Sequence, residues 1–397
     1  MARIMMTWEL GAGYGHLAPL RALAEALQAR GHEIAIAARD TQTAATLFMG
    51  AGIAVHQAPV NLSPTRGLTL LSFPQILLNT CFNQPQELEE RVRSWRQLYG
   101  EFKPQLLICE HSPTALLAAQ GLDLPRLPVG YGFVLPPDAK PMPSLRPWLE
   151  ADPVALMHDE TRALGMANGV LAKFGEPALE SIGALYRTPN QPLFTFAELD
   201  NYASMRRHAE YWGPLVTGSG RQPAWPPGEG KRIFVYLRPF PTLPALLDSL
   251  REAGQPTILH IPGLAAEVRE AYAGGNLKFS DELLDIRAVA RECALAVLHG
   301  GHGILALMLL EGKPLLLLPL QLETLLNAQA AVKLGAALSA PELTPEGMRL
   351  KLGRLLQEPD WHSAARRFAE RYAGLEVERI PERFVQLVEK LLASEAL

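Results

Sequence analysis

Hydrophobic positions divide the chain into short runs separated by glycine, proline and helical spacing. The apolar run at residues 2–8 stops at a glycine cluster, Gly11, Gly13 and Gly15. A helical pattern follows over residues 17–30, closed by Gly31, and then a second strand-like run over residues 32–38. Strand, helix and strand in so short a span form a βαβ unit, which implies parallel pairing within a layered α/β domain. The pattern recurs with a strand at residues 104–109, a loop at 110–113, a helix at 114–120 and a strand around 127–130. Residues 61–85 and 131–148 mix aromatic, aliphatic and proline residues, and read as long loops or short helices.

A stretch rich in Gly and Pro, TGSGRQPAWPPGEGK at residues 217–231, separates two apolar-periodic regions and marks a linker. Beyond it, a strand (232–237), a helix (243–253) and further strands (257–261 and 295–298) predict a second parallel sheet. The expected organisation is an N-terminal domain over 1–214, a linker over 215–231, a C-terminal domain over 232–378 and a closing amphipathic helix over 379–397. Two domains also suit 397 residues, a length at which single cores usually stop growing.

Composition narrows the class. With 48% hydrophobic and 20% charged residues, the chain is that of a soluble globular protein. A formal charge of −4 gives no general attraction to nucleic acid, so any phosphate must be met locally. Cys81, Cys109 and Cys293 show neither a disulfide framework nor zinc spacing, which fits a reducing cytoplasm. The N-terminus lacks the features of a signal peptide. The apolar stretch 303–322 is broken by Glu311, Gly312, Lys313 and Pro314, too early for a membrane span, although peripheral membrane contact stays open.

The most informative segment is ALAVLHGGHGILALMLLEGKPLLLLPLQLETLLNAQAAVKLGAAL, residues 294–338. An apolar strand there delivers His299, Gly300, Gly301, His302 and Gly303 to the start of a helix. Glycines permit close approach of a ligand, and the unpaired N–H groups of a first helical turn suit a diphosphate. The same glycines also serve an ordinary tight turn, so the loop alone leaves both readings open.

The run continues through Gly312, Pro314, Pro319, Glu323, Asn327, Ala328 and Gly335. As a whole it resembles the donor-binding signature of the UDP-glycosyltransferase family, including its bacterial macrolide-type branch. The N-terminal GYGHLAPLRALAEALQARGHE is similar to that family's first βαβ unit. The resemblance implies a GT-B fold, two Rossmann-like domains with parallel sheets facing a central cleft. It also implies inverting transfer of a sugar from a nucleotide-sugar, UDP- or dTDP-linked, to a hydroxyl of a small-molecule or lipid acceptor, with no cofactor and no metal. His16 matches the family's base, an imidazole whose ordinary pKa of about 6.5 suits proton removal. Glu110 stands where the family usually has an orienting aspartate. Arg238, His299, Gly300, Gly301, His302, Gly303, Glu323, Thr324 and Asn327 are the implied donor-binding residues.

Several positions depart from the family. Ile304 and Leu305 replace a phosphate-contacting hydroxyl, Leu307 replaces a glutamate, and Glu323-Thr324 keeps the acid of an acid–Gln pair but loses the amide. Arg238 ends the first strand of the second domain where a small Gly-Ser or Gly-Thr turn is usual, and its guanidinium offers compensating bonds to phosphate. Phe73, Phe82, Tyr131, Phe133 and Trp148 suggest an apolar acceptor pocket, against the ordinary alternative of core packing. Rival readings are a degenerate GT-B protein that binds a nucleotide or partner without turnover, and a nucleotide-sugar epimerase or hydrolase. A dehydrogenase fits less well, because His16 stands where the third fingerprint glycine belongs.

Overall fold

The computed structural model describes residues 1–60, 69–189, 191–206, 208–216 and 220–394. Parts of the expected loop at 61–85, linker at 217–231 and terminal helix at 379–397 therefore lie outside the described residues. The chain forms two compact units, residues 1–212 with 378–397, and residues 213–377.

In the first unit, β1 (Arg3–Trp8), β2 (Glu33–Ala38), β3 (Ala54–Gln57), β4 (Leu106–Glu110) and β5 (Arg126–Val129) form one parallel sheet in the order β3-β2-β1-β4-β5. Its helices are α1 (Tyr14–Ala29), α2 (Thr41–Leu47), α3 (Phe73–Thr80), α4 (Pro85–Phe102), α5 (Pro113–Ala118) and α6 (Pro153–Lys173). β6 (Pro192–Leu193) and β7 (Glu210–Tyr211) make a separate short pair. Helices cover both faces of a parallel sheet, so its central strands have to be apolar throughout. All five residues of β4 are buried, Leu106 to Glu110, and so are the last five of β1.

The second unit repeats the plan with β8 (Ile233–Tyr236), β9 (Thr257–His260), β10 (Leu277–Phe279), β11 (Leu295–Leu298), β12 (Leu315–Leu317) and β13 (Ala337–Ser339), in the parallel order β10-β9-β8-β11-β12-β13. Around it lie α7 (Leu243–Glu252), α8 (Ala266–Tyr272), α9 (Ile286–Glu292), α10 (His302–Leu310), α11 (Leu322–Lys333), α12 (Pro345–Gln357) and α13 (Asp360–Arg371). The core joins Val235, Leu259, Val297 and Leu316 from the sheet to Leu246, Leu250, Met348 and Leu352 from α7 and α12. The final helix, α14 (Ile380–Ser394), belongs to the first unit, where it packs on α1 and sets Phe384 against Phe194.

In each unit the strand order reverses beside the first strand. β1 has β2 on one side and β4 on the other, and β8 lies between β9 and β11. Loops leaving the carboxyl ends of such a pair splay apart and open a crevice, the usual place for a ligand in an open α/β sheet. The glycine cluster and residues 110–113 leave the sheet at the first crevice. Arg238 and the 299–303 loop leave at the second.

Candidate active site

Trp8 and Glu110 are register partners at the ends of β1 and β4. After Trp8 the chain turns through Gly11 and Gly13, both with positive φ (88° and 81°), and enters α1 directly. That turn places His16 in the first helical turn, over the end of β4, where its Nδ1 lies 2.8 Å from Glu110 Oε1. Both residues are buried, at 6% and 4% exposure. A carboxylate can only accept, so Nδ1 carries the shared proton and the lone pair of the neutral imidazole sits on Nε2. The longer Glu110 side chain thus spans to His16 from this strand end.

Neighbouring groups fix the ring further. The Trp8 indole stacks on it with centroids 5.7 Å apart and planes 20° from parallel, and Trp8 Nε1 donates to Leu10 O at 2.6 Å. Gly11 lies against the imidazole: a Cβ there would stand 2.0 Å from His16 Nε2. Arg39, at the end of β2, donates from Nη1 to Gly11 O at 2.6 Å. Glu9 has no exposure and accepts from Thr114 N (3.1 Å) and Ala115 N (2.6 Å), which ties the end of β1 to the start of α5. Burial pushes its carboxyl up to about 7, against the opposing pull of those hydrogen bonds and of Arg91. His111 follows Glu110 with φ 43°, accepts from Leu10 N through its carbonyl at 3.1 Å, and has its ring 6.0 Å from that of His16. Burial, then the neighbouring His16 and Arg39, hold its pKa well below the usual value, so it stays neutral.

Three of the five expected aromatic acceptor residues are buried. Phe73 and Phe82 have no accessible surface and Phe133 retains 7%. Phe73 packs edge-on to Tyr186, and both Phe73 and Phe133 pack around the buried His111 ring. These rings are core: Phe73 and Phe133 close around His111 just beyond the end of β4, and Phe82 is wholly enclosed. Tyr131 is partly exposed, and Trp148 is 41% exposed.

In the second unit, β11 delivers the 299–303 loop to α10. Gly300 takes φ 93°, and a Cβ on it would stand 2.8 Å from Thr324 O, so both conformation and contact demand glycine. Gly301 is the residue before α10, and a Cβ on it would lie 3.0 Å from His299 Nε2. Asn327, 1% exposed on α11, donates its amide to Gly300 O at 3.0 Å and so fixes the loop from behind. His299 Nδ1 is 3.3 Å from Tyr236 O, and its ring meets Tyr236 edge-on at 5.1 Å. Burial lowers its pKa first, Arg238 adds to the lowering, and Glu323 opposes it, so both charged side chains act at this loop. Arg238 is exposed and Glu323 partly exposed.

Two expected donor contacts take a different form. The Thr324 hydroxyl is turned inward, 7% exposed, donating to Gln321 O at 2.9 Å and accepting from Gln321 N at 3.1 Å. It closes the first turn of α11, the ordinary use of a hydroxyl at that position, and is committed there. His302 is 5% exposed, and burial pushes its pKa down to about 3, so it stands neutral at the start of α10. Gly303 remains partly open. Leu305 and Leu307, at 0% and 2% exposure, belong to the core, which accounts for apolar residues at those two departures from the family pattern. Ile304 is partly exposed.

Sequence reasoning passed over Trp8, Glu9, Arg39, His111 and the stacked pair Tyr236 and His260, whose rings are 5.4 Å apart. All lie at or just beyond the ends of β1, β2, β4, β8 and β9, so attention to every strand end, and not only to the motifs, would have found them. Among the described residues no group of three His, Cys, Asp or Glu side chains is placed to hold a metal, and no helix is long and apolar enough to cross a membrane.

No protein-family model matches the chain. It is similar to aklavinone 7-beta-L-rhodosaminyltransferase of Streptomyces galilaeus, 36% identical over 120 residues that cover 30% of this chain and 26% of that protein. It is also similar to 3-alpha-mycarosylerythronolide B desosaminyl transferase of Saccharopolyspora erythraea, 28% identical over 242 residues, covering 56% of this chain and 54% of the relative. The chain thus spans between about a quarter and about half of the curated relatives it matches. Among solved structures, spinosyn rhamnosyltransferase SpnG superimposes with a TM-score of 0.69 at 19% identity, over 97% of this chain and 100% of that one. The fold is GT-B, and the sequence likeness is to bacterial glycosyltransferases.

Proposed function

We propose that this protein transfers a sugar from a nucleotide-diphosphate donor to a hydroxyl of a small-molecule acceptor, with inversion and without a metal. The buried His16–Glu110 pair carries the reading, because an imidazole held through Nδ1 by a carboxylate presents Nε2 as a base. In the proposed step, Nε2 takes the acceptor's hydroxyl proton while the oxygen bonds to the anomeric carbon. The bond from that carbon to the diphosphate oxygen breaks, and its electron pair leaves with the diphosphate. Glu110 stabilises the imidazolium that forms. The 299–303 loop and the first turn of α10 would receive the growing diphosphate charge through backbone N–H groups, with Arg238 supplying the full positive charge. Glu323 would accept hydrogen bonds from sugar hydroxyls. Asn327 holds the loop, and neutral His302 serves as a hydrogen-bonding group without charge.

The base of the donor is proposed as thymine, because SpnG has been solved in complex with thymidine diphosphate and, separately, with spinosyn aglycone. Calorimetric titration with dTDP, UDP and GDP tests the donor site. Binding of dTDP that weakens roughly tenfold in Arg238→Ala, the loss of a charge-assisted bond, is the expected result. Absence of binding to any of the three nucleotides would leave the degenerate scaffold as the better reading.

A further inference from the structure

A cavity of about 330 Å³ opens in the first unit on the β2 side of the glycine turn, lined by Trp8, Gly13, Arg39, Thr41, Gln42 and Gln57, among others. It is one residue layer from the proposed base. Trp8 both borders the cavity and stacks on His16. Gly11 joins the two, its carbonyl accepting from Arg39 and its α-carbon lying against His16 Nε2. By contrast, the aromatic residues on the β4 side, Phe73 and Phe82, are sealed.

Arg39 is half-buried, and its hydrogen bond goes to a neutral carbonyl. It makes no ion pair among the described residues. Asp40 also lines the cavity, but its carboxylate is engaged with α2: Oδ1 accepts from Thr43 N at 2.9 Å and Oδ2 from Thr43 Oγ1 at 2.6 Å. Burial lowers the Arg39 pKa, the mark of a cation short of a counter-charge, and only Asp40 opposes it. Gln57 Nε2 is taken up by the carbonyls of Arg39 and Ala58. The guanidinium is therefore the cationic donor among the lining residues, with the Thr41 hydroxyl and the Gln42 amide as neutral neighbours. Its planar fork matches a carboxylate, and with ionised Asp40 next to it a single negative charge is accommodated better than a phosphate dianion.

We propose that this cavity binds a carboxylate carried by the acceptor, with Arg39 as the residue that selects it, so that the acceptor reaches His16 from the β2 side of the turn. The inference rests on the transferase reading for the word acceptor; the carboxylate site itself does not. Equilibrium binding of 4-hydroxybenzoate and its methyl ester to the full-length protein tests it. The carboxylate is expected to bind roughly tenfold or more tightly than the ester, the worth of a charge-assisted bond. That preference is expected to vanish in Arg39→Gln and survive in part in Arg39→Lys. Gln42→Glu, at an exposed lining position that leaves the Arg39–Gly11 bond in place, should also abolish it. Equal binding of acid and ester, no binding of the acid below about 10 mM, or a preference that persists in Arg39→Gln would each overturn the proposal. Binding of dTDP, followed on the same samples, separates the two readings: its absence removes the transferase while leaving the carboxylate result to stand or fall alone.

Discussion

Glu110 offers the sharpest perturbation, because one hydrogen bond of 2.8 Å in a buried setting links it to the proposed base. Glu110→Gln keeps the length and volume of the side chain but removes the charge that opposes imidazolium. It also lets an amide N–H face Nδ1, which would move the lone pair from Nε2 to Nδ1. A hydrogen bond to a charged group is worth about 1.5–3 kcal/mol, and about 1.4 kcal/mol is tenfold in rate, so kcat should fall by roughly 10- to 150-fold. Glu110→Asp keeps the charge but shortens the side chain by one carbon–carbon bond, about 1.5 Å. From a strand end fixed by pairing with β1 and β5, the carboxylate would then lie beyond hydrogen-bonding distance, and the loss should approach that of the glutamine. Neither change touches the second unit, so the dissociation constant for dTDP should hold within about twofold. The assay is release of dTDP from a dTDP-sugar in the presence of a phenolic acceptor, with dTDP binding measured separately. A Glu110→Gln enzyme with kcat within twofold of the parent would refute the assignment of this pair.

Other consequences follow from single contacts. Gly300→Ala puts a Cβ 2.8 Å from Thr324 O at φ 93°, so a stability loss of about 1–3 kcal/mol and weakened dTDP binding are expected from thermal melts and calorimetry. Asn327→Ala removes the amide from Gly300 O in a buried site, and about 1–2 kcal/mol of stability should be lost, with a raised KM for donor and little change in kcat. Glu9 has a folded pKa of about 7 against an ordinary 4.5, so the native state binds the extra proton between those values. Its contribution is present in full below about pH 4.5 and is lost as pH rises through 7, a slope amounting to about 3 kcal/mol in total. Glu9→Gln should flatten that part of the stability curve in urea titrations at a series of pH values. A slope unchanged from the parent would show that the carboxylate is already ionised in the folded protein.

The alternation of short apolar runs with helical spacing by itself determined the α/β class and its parallel sheets, because a strand covered on both faces must be apolar on both. The glycines at 11, 13 and 300 were legible for a related reason: three residues with positive φ at strand-to-helix turns leave few other choices. The residues of the 299–303 loop, together with His16 and Glu110, were legible as motif positions, and the pairing of Glu110 with His16 was implied by the family resemblance alone, since a separation of 94 residues gives no hint of a 2.8 Å contact. That contact is a product of strand order, which brings the ends of β1 and β4 side by side. Tertiary packing alone decided which polar groups are committed elsewhere, as with the Thr324 hydroxyl in its helix turn, and which aromatics are core, as with Phe73 and Phe82. It likewise set Trp8, Glu9 and Arg39 around the glycine turn. Burial and partnership depend on neighbours distant in the chain, and no local pattern of residues encodes them.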